Sequence, residues 1–275
     1  MSIVTFWGSG KEQVGKTLSL VALATNLAIE RNKRILVISA SYSNQTLKNC
    51  YWNEEVAKKS NLFKPKAGVV EIDNGIEGLA KMIQSNKVSP EIITDYSKVI
   101  FKDRLEVLLG FEEESIGKSE SAAKIYSDIV QLAIKYYDMV IIDLDNEIHP
   151  SGAEEILKKS DLIIAMTSQK LSSIRTMKEL MQTLPNDKKM LLIGKFDKKS
   201  KYTLKNLSRT FGEKKEFLAI PYSTLYFEAS QEGTVTDLFL RLRRIQDKND
   251  ENAYFIEQVK KVSEEILKRL QENKM

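Results

Sequence analysis

Eight residues near the start of the chain have the types and the spacing needed to bind phosphate groups. The segment Gly10-Lys11-Glu12-Gln13-Val14-Gly15-Lys16-Thr17 matches the pattern G-x-x-x-x-G-K-[ST] at every fixed position. Glycines let the backbone curl so that successive N–H groups point inward at phosphates. Lys16 can then reach the β- and γ-phosphates of a nucleotide, and the Thr17 hydroxyl can bind magnesium. A chance match in a glycine- and lysine-containing turn is the alternative.

A carboxylate further along the chain is the natural partner of this segment. Asp143 follows the apolar run Val140-Ile141-Ile142, which predicts a buried strand. The end of such a strand is where an acid that holds magnesium through water is expected, although an aspartate there can also be a turn or N-cap residue. We therefore predict a site for ATP or ADP with Mg²⁺ at residues 10–18, which include Leu18, with Thr17 and Asp143 as the magnesium residues.

Short apolar runs that alternate with segments of helical period predict the elements that must position these residues. The predicted strands are 3–7, 35–38, 105–109, 139–142, 162–166, 190–193 and 217–220. The predicted helices are 17–29, 71–84, 122–137, 153–159, 172–184 and 202–210, with a last helix through Phe255, Val259, Val262, Ile266 and Leu270. Segments 41–68 and 112–121 are predicted as loops. The pattern indicates an α/β fold, doubly wound, with a mostly parallel sheet and helices on both faces, and residues 1–275 as a single domain.

Composition restricts the chemistry further. The 275 residues are 42% hydrophobic, which is enough for a sizeable core, and 42 Lys and Arg against 38 Asp and Glu are too evenly balanced to indicate nucleic-acid binding alone. One cysteine and one histidine leave little material for a His/Cys metal site or a disulfide framework. The apolar runs of about five to eight residues are far shorter than the roughly 20 that span a bilayer, and the N-terminus lacks a signal peptide pattern. We expect a cytoplasmic protein.

A second lysine in the phosphate loop connects the chain to a known family. Lys11, five residues before Lys16, makes the loop resemble the deviant Walker A motif of the ParA/MinD family of ATPases. Segment 137–143 resembles the second acidic motif of that family, 160–175 its following strand, loop and helix, and Ile220-Pro221-Tyr222 its late strand and adenine-side loop. The likeness covers most of the chain and implies a P-loop NTPase fold of the SIMIBI type.

The resemblance also implies roles for particular residues. Lys11 would reach across a homodimer to the nucleotide of the partner, so that ATP lies between two subunits, and Lys11 and Lys16 are the candidate catalytic residues. Lys195, Pro221 and Tyr222 would lie close to the nucleotide on its adenine side. The alternative for Lys11 is an ordinary solvated loop lysine.

Several positions depart from the family pattern. Glu12 and Gln13 stand where two glycines are usual, and the carboxylate of Glu12 adds negative charge near the phosphates or the partner subunit. Ser39-Ala40-Ser41 stands where the family has Asp-x-Asp, which helps to place magnesium and the attacking water. A serine cannot act as an ionised water-orienting group, so we expect weak hydrolysis at most, with Asp145 as a candidate substitute. Gly194 replaces the adenine-reading asparagine, which predicts looser base recognition.

One segment of the chain is strongly basic. Residues 195–215 contain eight Lys or Arg, at 195, 198, 199, 201, 205, 209, 214 and 215, and only two acids, Asp197 and Glu213. Such a segment can bind DNA phosphates, anionic lipid or an acidic protein, and the alternative is a solvated helix face.

Three functions therefore stay open. The first is a nucleotide-dependent switch that dimerises with ATP and positions or assembles a cellular machine together with a protein partner. Within the family, its eroded acids resemble the TadZ/CpaE branch, which localises pilus or secretion machinery, so recruitment to a pole or, peripherally, to a membrane is expected. The second is a DNA-segregation ATPase that binds DNA through the basic segment. The third is a scaffold that binds nucleotide without hydrolysing it.

Overall fold

The computed structural model describes residues 1–10, 12–41, 45–52, 75–85, 88–112, 119–146, 148–184, 188–245, 247 and 250–273. Within these ranges one sheet has eight strands: β1 (Ser2–Gly8), β2 (Ile35–Ala40), β3 (Lys98–Phe101), β4 (Leu105–Leu108), β5 (Met139–Leu144), β6 (Leu162–Thr167), β7 (Lys189–Phe196) and β8 (Leu218–Pro221). The spatial order is β3-β4-β2-β5-β1-β6-β7-β8. Every pair is parallel except the antiparallel edge pair of β3 with β4.

The helices lie on both faces of this sheet. They are α1 (Lys16–Glu30), α2 (Gln45–Tyr51), α3 (Ile76–Gln84), α4 (Ile93–Tyr96), α5 (Glu120–Ala133), α6 (Pro150–Lys159), α7 (Leu171–Thr183), α8 (Leu204–Thr210), α9 (Thr224–Glu232), α10 (Val235–Leu242) and α11 (Glu251–Glu272). A 3₁₀ turn, Pro90–Ile92, leads into α4. The predicted doubly wound α/β fold is therefore confirmed.

The alternation of side chains along the strands divides the core into two layers. Ile35 and Val37 of β2 pack on the face that carries α1, α2, α9, α10 and α11, whereas Leu36 and Ile38 pack on the face of α3, α5 and α6. A smaller cluster joins α7 and α8 to the ends of β7 and β8. Because parallel strands covered on both faces are apolar throughout, the sequence shows them as continuous runs.

The most buried helix is α1, in which every residue from Ser19 to Ala28 is buried. It follows β1, and β1 lies in the interior of the sheet between β5 and β6. The loop that connects β1 to α1 is therefore placed at the carboxyl edge of the sheet, where the loops after β2, β5 and β6 also emerge. This is the edge at which α/β folds bind ligands.

The predicted strands are all present, and the differences concern short or edge elements. β3 was not predicted, since it is a four-residue edge strand whose residues are exposed or half-buried. Helices α4, α9 and α10 were also not predicted, and α2 occupies part of segment 41–68 that we expected to be a loop. Seven residues are too few for a clear helical period, but Leu47, Cys50 and Tyr51 of α2 are buried in the core beside α1.

Some helix boundaries differ from the predicted ones by a few residues. Segment 122–137 was expected to be helical to its end, but α5 ends at Ala133 and a turn leads to β5. Segment 202–210 begins its helix at Leu204, because the Thr203 hydroxyl accepts a hydrogen bond from Asn206 N and caps α8. Residues 71–74 of the predicted helix 71–84 lie outside the described residues. Among the described helices, none combines the length and the apolar character that crossing a membrane requires.

Candidate functional site

The loop between β1 and α1 has the backbone that its glycines predict. Gly10 and Gly15 have φ values of 70° and 73°, in the left-handed region that favours glycine. Between them, Val14 N donates to the carbonyl of Glu12 at 2.9 Å, so the chain turns tightly before α1 begins at Lys16. The loop therefore brings its amides to the N-terminus of a buried 15-residue helix, a natural binding position for anions. Lys11 lies outside the described residues.

Three predicted site residues meet at the end of β5. The Lys16 ammonium donates to Asp143 Oδ1 and to the carbonyl of Leu144, the latter at 2.8 Å. The Thr17 hydroxyl donates to the other carboxylate oxygen of Asp143 at 2.6 Å. The Asp143 side chain is only 6% exposed and that of Lys16 is 18% exposed. A buried carboxylate that is both paired and hydrogen-bonded avoids most of the cost of burial.

Sheet register explains why these residues meet although more than 120 positions separate them along the chain. β1 pairs with β5 so that Phe6 lies beside Asp143, and the loop leaves β1 two residues later. A threonine hydroxyl and a carboxylate at this distance are the oxygen ligands that Mg²⁺ accepts, with phosphate and water oxygens completing its shell. The donor set fits the predicted magnesium site.

The neighbouring strand β2 ends without a carboxylate. Ser39 lies beside Asp143 in the β2–β5 register, and Ser39 and Ser41 are both buried. The Tyr126 hydroxyl of α5 donates to the carbonyl of Ser39 at 3.2 Å. Burial raises the pKa of Tyr126, so its hydroxyl stays protonated and able to donate. Asp145 N donates to the carbonyl of Ala40 at 3.0 Å, which places half-buried Asp145 just past the end of β5.

The predicted adenine-side residues share a cleft. Lys195, Pro221 and Tyr222 all line a cavity of about 790 Å³ at the carboxyl ends of β7 and β8. The side chain of Lys195 extends over the phosphate loop, since a Cβ at Gly15 would lie 3.0 Å from its Cγ. The cavity therefore adjoins the loop and has the volume of a small-molecule site. Asn252 and Tyr254 of α11 and Glu228 of α9 also line it. Sequence reasoning missed these three, because helical period marks only buried positions.

Gly194, where the family has an asparagine, is required by packing. A Cβ at this position would lie 2.0 Å from the carbonyl oxygen of Val14 and 3.0 Å from Met166 Cε. The backbones of β7 and the phosphate loop therefore touch at Gly194. No side chain fits there without moving the loop, so the missing asparagine follows from the path of this backbone.

The other residues in and beside the loop make different contacts. Val14 is buried in the core, so only its backbone faces the site, whereas Gln13 is exposed. The Leu18 carbonyl accepts a hydrogen bond from the Tyr226 hydroxyl at 2.6 Å, which ties the first turn of α1 to α9. Asn146 Nδ2 donates to the Gly8 carbonyl at 2.7 Å and holds the start of the loop. The carboxylate of Glu12, which is expected to add negative charge near the phosphates or the partner subunit, accepts hydrogen bonds from Ser168 after β6 and from Ser173 in the first turn of α7.

No protein-family model matches the chain, and no curated protein matches it in sequence. Solved structures do match over nearly the whole length of both chains. A ParA family ATPase from Chlorobium tepidum TLS superposes with a TM-score of 0.69 at 15% identity, covering 95% of this chain and 98% of that one.

Two further matching structures contain a bound nucleotide. A putative plasmid partition protein from Borrelia burgdorferi B31, bound to AMPPNP, has a TM-score of 0.60 at 20% identity and covers 98% of this chain and 99% of its own. The septum site-determining protein MinD from Pyrococcus horikoshii OT3, complexed with Mg-ADP, has a TM-score of 0.64 at 14% identity, with 95% of each chain covered. At these identities the likeness establishes the fold: the chain has the P-loop NTPase fold of the ParA/MinD ATPases.

The close approach at Gly194 generates a stability prediction. Gly194→Ala should lower the free energy of unfolding by about 1–3 kcal/mol, because the added methyl group must displace the Val14 carbonyl of the loop. Gly8→Ala is the matched control, since its added Cβ would have its nearest neighbours at 3.9 Å, an ordinary contact distance. Urea denaturation measures both. Equal stabilities of the two variants would show that the loop does not pack on β7 as described.

Proposed function

We propose that this chain binds ATP with Mg²⁺ at residues 10–18 and acts as a nucleotide-dependent switch that dimerises to position or assemble a cellular structure. One observation carries the nucleotide site: Lys16 and Thr17, at the start of α1, converge on the buried carboxylate of Asp143 from the neighbouring strand. A charged lysine at a helix N-terminus, beside a hydroxyl and a carboxylate, is a constellation suited to a phosphate–magnesium pair.

In this proposal each residue of the candidate site has a defined role. The amides of the loop and the ammonium of Lys16 would bind the phosphates, and Thr17 and Asp143 would hold the magnesium ion. The ion, when bound, neutralises charge on the phosphate oxygens. Asp143 also positions Lys16, because it accepts a hydrogen bond from the ammonium. Lys195, Pro221 and Tyr222 border the space for the nucleoside.

Replacing Lys16 tests the nucleotide site. In Lys16→Ala, the affinity for ATP with Mg²⁺ should fall at least about tenfold, because the loop loses its charge-assisted donor to the phosphates. Isothermal titration calorimetry measures the dissociation constant. Lys158→Ala is the control, since Lys158 forms an exposed ion pair with Glu154 on α6. An affinity equal to that of the unaltered chain would show that the nucleotide does not bind at this loop.

Hydrolysis is proposed to be slow, because the end of β2 offers the hydroxyls of Ser39 and Ser41 in place of carboxylates. Restoring both acids, in Ser39→Asp with Ser41→Asp, should accelerate phosphate release at least about tenfold when Mg²⁺ is present. The magnesium is needed because a new carboxylate at position 39 lies beside that of Asp143. A phosphate-release assay checks this. Brisk turnover by the unaltered chain would instead assign the water-orienting task to another group, with Asp145 the first to test.

Dimerisation with ATP is proposed to depend on Lys11. The γ-phosphate adds charge at the subunit boundary, and a lysine from a second copy can neutralise it only when two loops face each other. ATP should therefore favour the dimer over ADP by an amount set by its differential affinity for the two states. We expect light scattering to show a doubled mass with ATP and Mg²⁺, the monomer mass with ADP, and no ATP-dependent shift for Lys11→Ala. The same mass under all three conditions would make Lys11 an ordinary loop lysine.

The proposed positioning role is supported by the proteins whose solved structures match this fold. Two of the matching structures are described as a ParA family ATPase and a septum site-determining protein. We propose that this chain likewise acts with a protein partner at a defined cellular site, and that the loss of acids at Ser39 and Ser41 makes it similar to the TadZ/CpaE branch that localises pilus or secretion machinery. The alternative is a scaffold that binds nucleotide without hydrolysing it. The phosphate-release assay distinguishes this scaffold from a switch that hydrolyses ATP.

A DNA-segregation function is the second candidate, and the basic segment supports it. Lys205 and Arg209 lie exposed on α8, and Lys199, Lys201, Lys214 and Lys215 are exposed on the turns that flank it. The match to a plasmid partition protein points in the same direction. Binding to DNA through this segment would require ATP and would weaken steeply as salt is raised. Retention of DNA by the chain only in the presence of ATP would favour this function over the first.

A further inference from the structure

Glu12 occupies an unusual place for a carboxylate. It lies in the phosphate loop between the left-handed Gly10 and Gly15, and its own carbonyl accepts the hydrogen bond that closes the turn at Val14. Its side chain is 31% exposed. A negative charge free to move at this position would oppose the binding of phosphates, so the partners of the carboxylate decide what it does.

Those partners lie between the end of β6 and the first turn of α7. Glu12 Oε2 accepts hydrogen bonds from the Ser168 hydroxyl and from the Ser173 hydroxyl, both at 2.8 Å. Lys170 Nζ lies 3.4 Å from the other carboxylate oxygen. We refer to Glu12, Ser168, Lys170 and Ser173 as the Glu12 clasp. The two hydroxyl hydrogen bonds, and then Lys170, hold the pKa of Glu12 below its ordinary value.

The clasp is well placed to fix the loop. Ser168 directly follows β6, and Ser173 lies in the first turn of α7. β6 is the neighbour of β1, with Met166 beside Gly8 in the register, so the clasp joins two loops that leave adjacent strand ends. Lys16 is held on the opposite side, by Asp143 of β5. The loop is therefore fixed from both neighbouring strands.

The two serines supply most of the restraint. Their hydrogen bonds end on a charged acceptor, which makes them stronger than bonds between neutral groups. Lys170 contributes less, because its side chain is 69% exposed and exposed ion pairs are weak. A loop with two glycines at positions 12 and 13 would be freer to move, and here a side-chain contact restrains the backbone instead.

We propose that Glu12 is a positioning residue for the nucleotide: its contact with Ser168 and Ser173 holds the phosphate loop in the curled form that directs its amides at the phosphates. This proposal rests on the proposed function, because it concerns the same loop. A carboxylate in a phosphate-binding loop then strengthens the binding of an anion, although its charge alone would oppose it. The charge serves the loop because the carboxylate is held by Ser168 at the end of β6 and by Ser173 at the start of α7.

The sign of the effect separates this proposal from simple electrostatics. If Glu12 acted only as a nearby charge, removing it would tighten the binding of a nucleotide, and removing the serines would change nothing. If the clasp positions the loop, Glu12→Ala and the double variant Ser168→Ala with Ser173→Ala should both weaken binding about tenfold. Glu12→Gln should lie between these variants and the unaltered chain, since its amide oxygen still accepts the hydroxyl hydrogen bonds.

Calorimetric titration with AMPPNP and Mg²⁺ at pH 7.5 measures these affinities without interference from hydrolysis. The clasp is intact at this pH: with the folded-state pKa of Glu12 lowered, its stabilisation is complete above the ordinary value and is lost only as the pH falls through the lowered one. Ser172→Ala is the matched control, because Ser172 is an exposed serine next to Ser173 in the same helical turn. The melting temperature without nucleotide is recorded for every variant.

The outcomes are distinct. Weaker binding by Glu12→Ala and by the double serine variant, with Ser172→Ala unchanged, supports the clasp. Unchanged or tighter binding by those two variants overturns it, and so does a lowered melting temperature with unchanged affinity, which indicates a purely structural contact. If nucleotide binding disappears in Lys16→Ala but is unchanged in the clasp variants, the proposed function stands and only the clasp proposal fails. If the unaltered chain binds no nucleotide, both fail.

Discussion

The candidate site depends on one buried carboxylate. Asp143 has lost nearly all contact with water, and an ionised carboxylate in that position is tolerated only if its oxygens are satisfied. Lys16 and Thr17 satisfy them, and both belong to the first turn of α1. The burial of α1 and the parallel pairing of β1 with β5 are thus requirements of the site as well as of the core. If the register slipped by one residue, Asp143 would be carried to the opposite face of the sheet, away from Lys16.

Much of this arrangement follows from the sequence, for identifiable reasons. Strands covered on both faces leave continuous apolar runs, so the interior strands were predicted within a few residues. The glycines of the loop mark the left-handed turns at Gly10 and Gly15, and the parallel topology brings Asp143 to the same edge of the sheet. The elements that the sequence analysis missed mostly have weak periodicity: the exposed edge strand β3, the seven-residue helix α2 and the short helix α9. Helix α10 was also missed, although its buried residues Val235, Leu238, Phe239 and Leu242 follow helical spacing.

Side-chain contacts between distant segments were also beyond the sequence. Nothing in the order of residues shows that Glu12 would bind Ser168 and Ser173, because that contact depends on the angle at which α7 leaves β6. The same holds for Gly194, whose replacement of an asparagine looks like the loss of a function until the Val14 carbonyl is found 2.0 Å from its missing Cβ. In both cases a residue that departs from the family pattern is explained by a contact that involves the phosphate loop: side-chain hydrogen bonds at Glu12 and a close backbone approach at Gly194.

These departures separate into two groups with different physical consequences. At Glu12 and Gly194 the changes surround the phosphate loop, where they restrain or accommodate its backbone. At Ser39 and Ser41 they remove charge from the end of β2, where the Tyr126 hydroxyl holds the Ser39 carbonyl and Gly110 packs closely on the Ser41 carbonyl. If nucleotide binds here as proposed, the part of the site beside its phosphates keeps a cation, a hydroxyl and an acid, whereas Ser39 and Ser41 supply none of the expected carboxylates. Under the proposed function, such a division favours a protein whose output is the bound state itself. The lifetime of the nucleotide complex would then be set by how firmly the loop is held rather than by the rate of a chemical step.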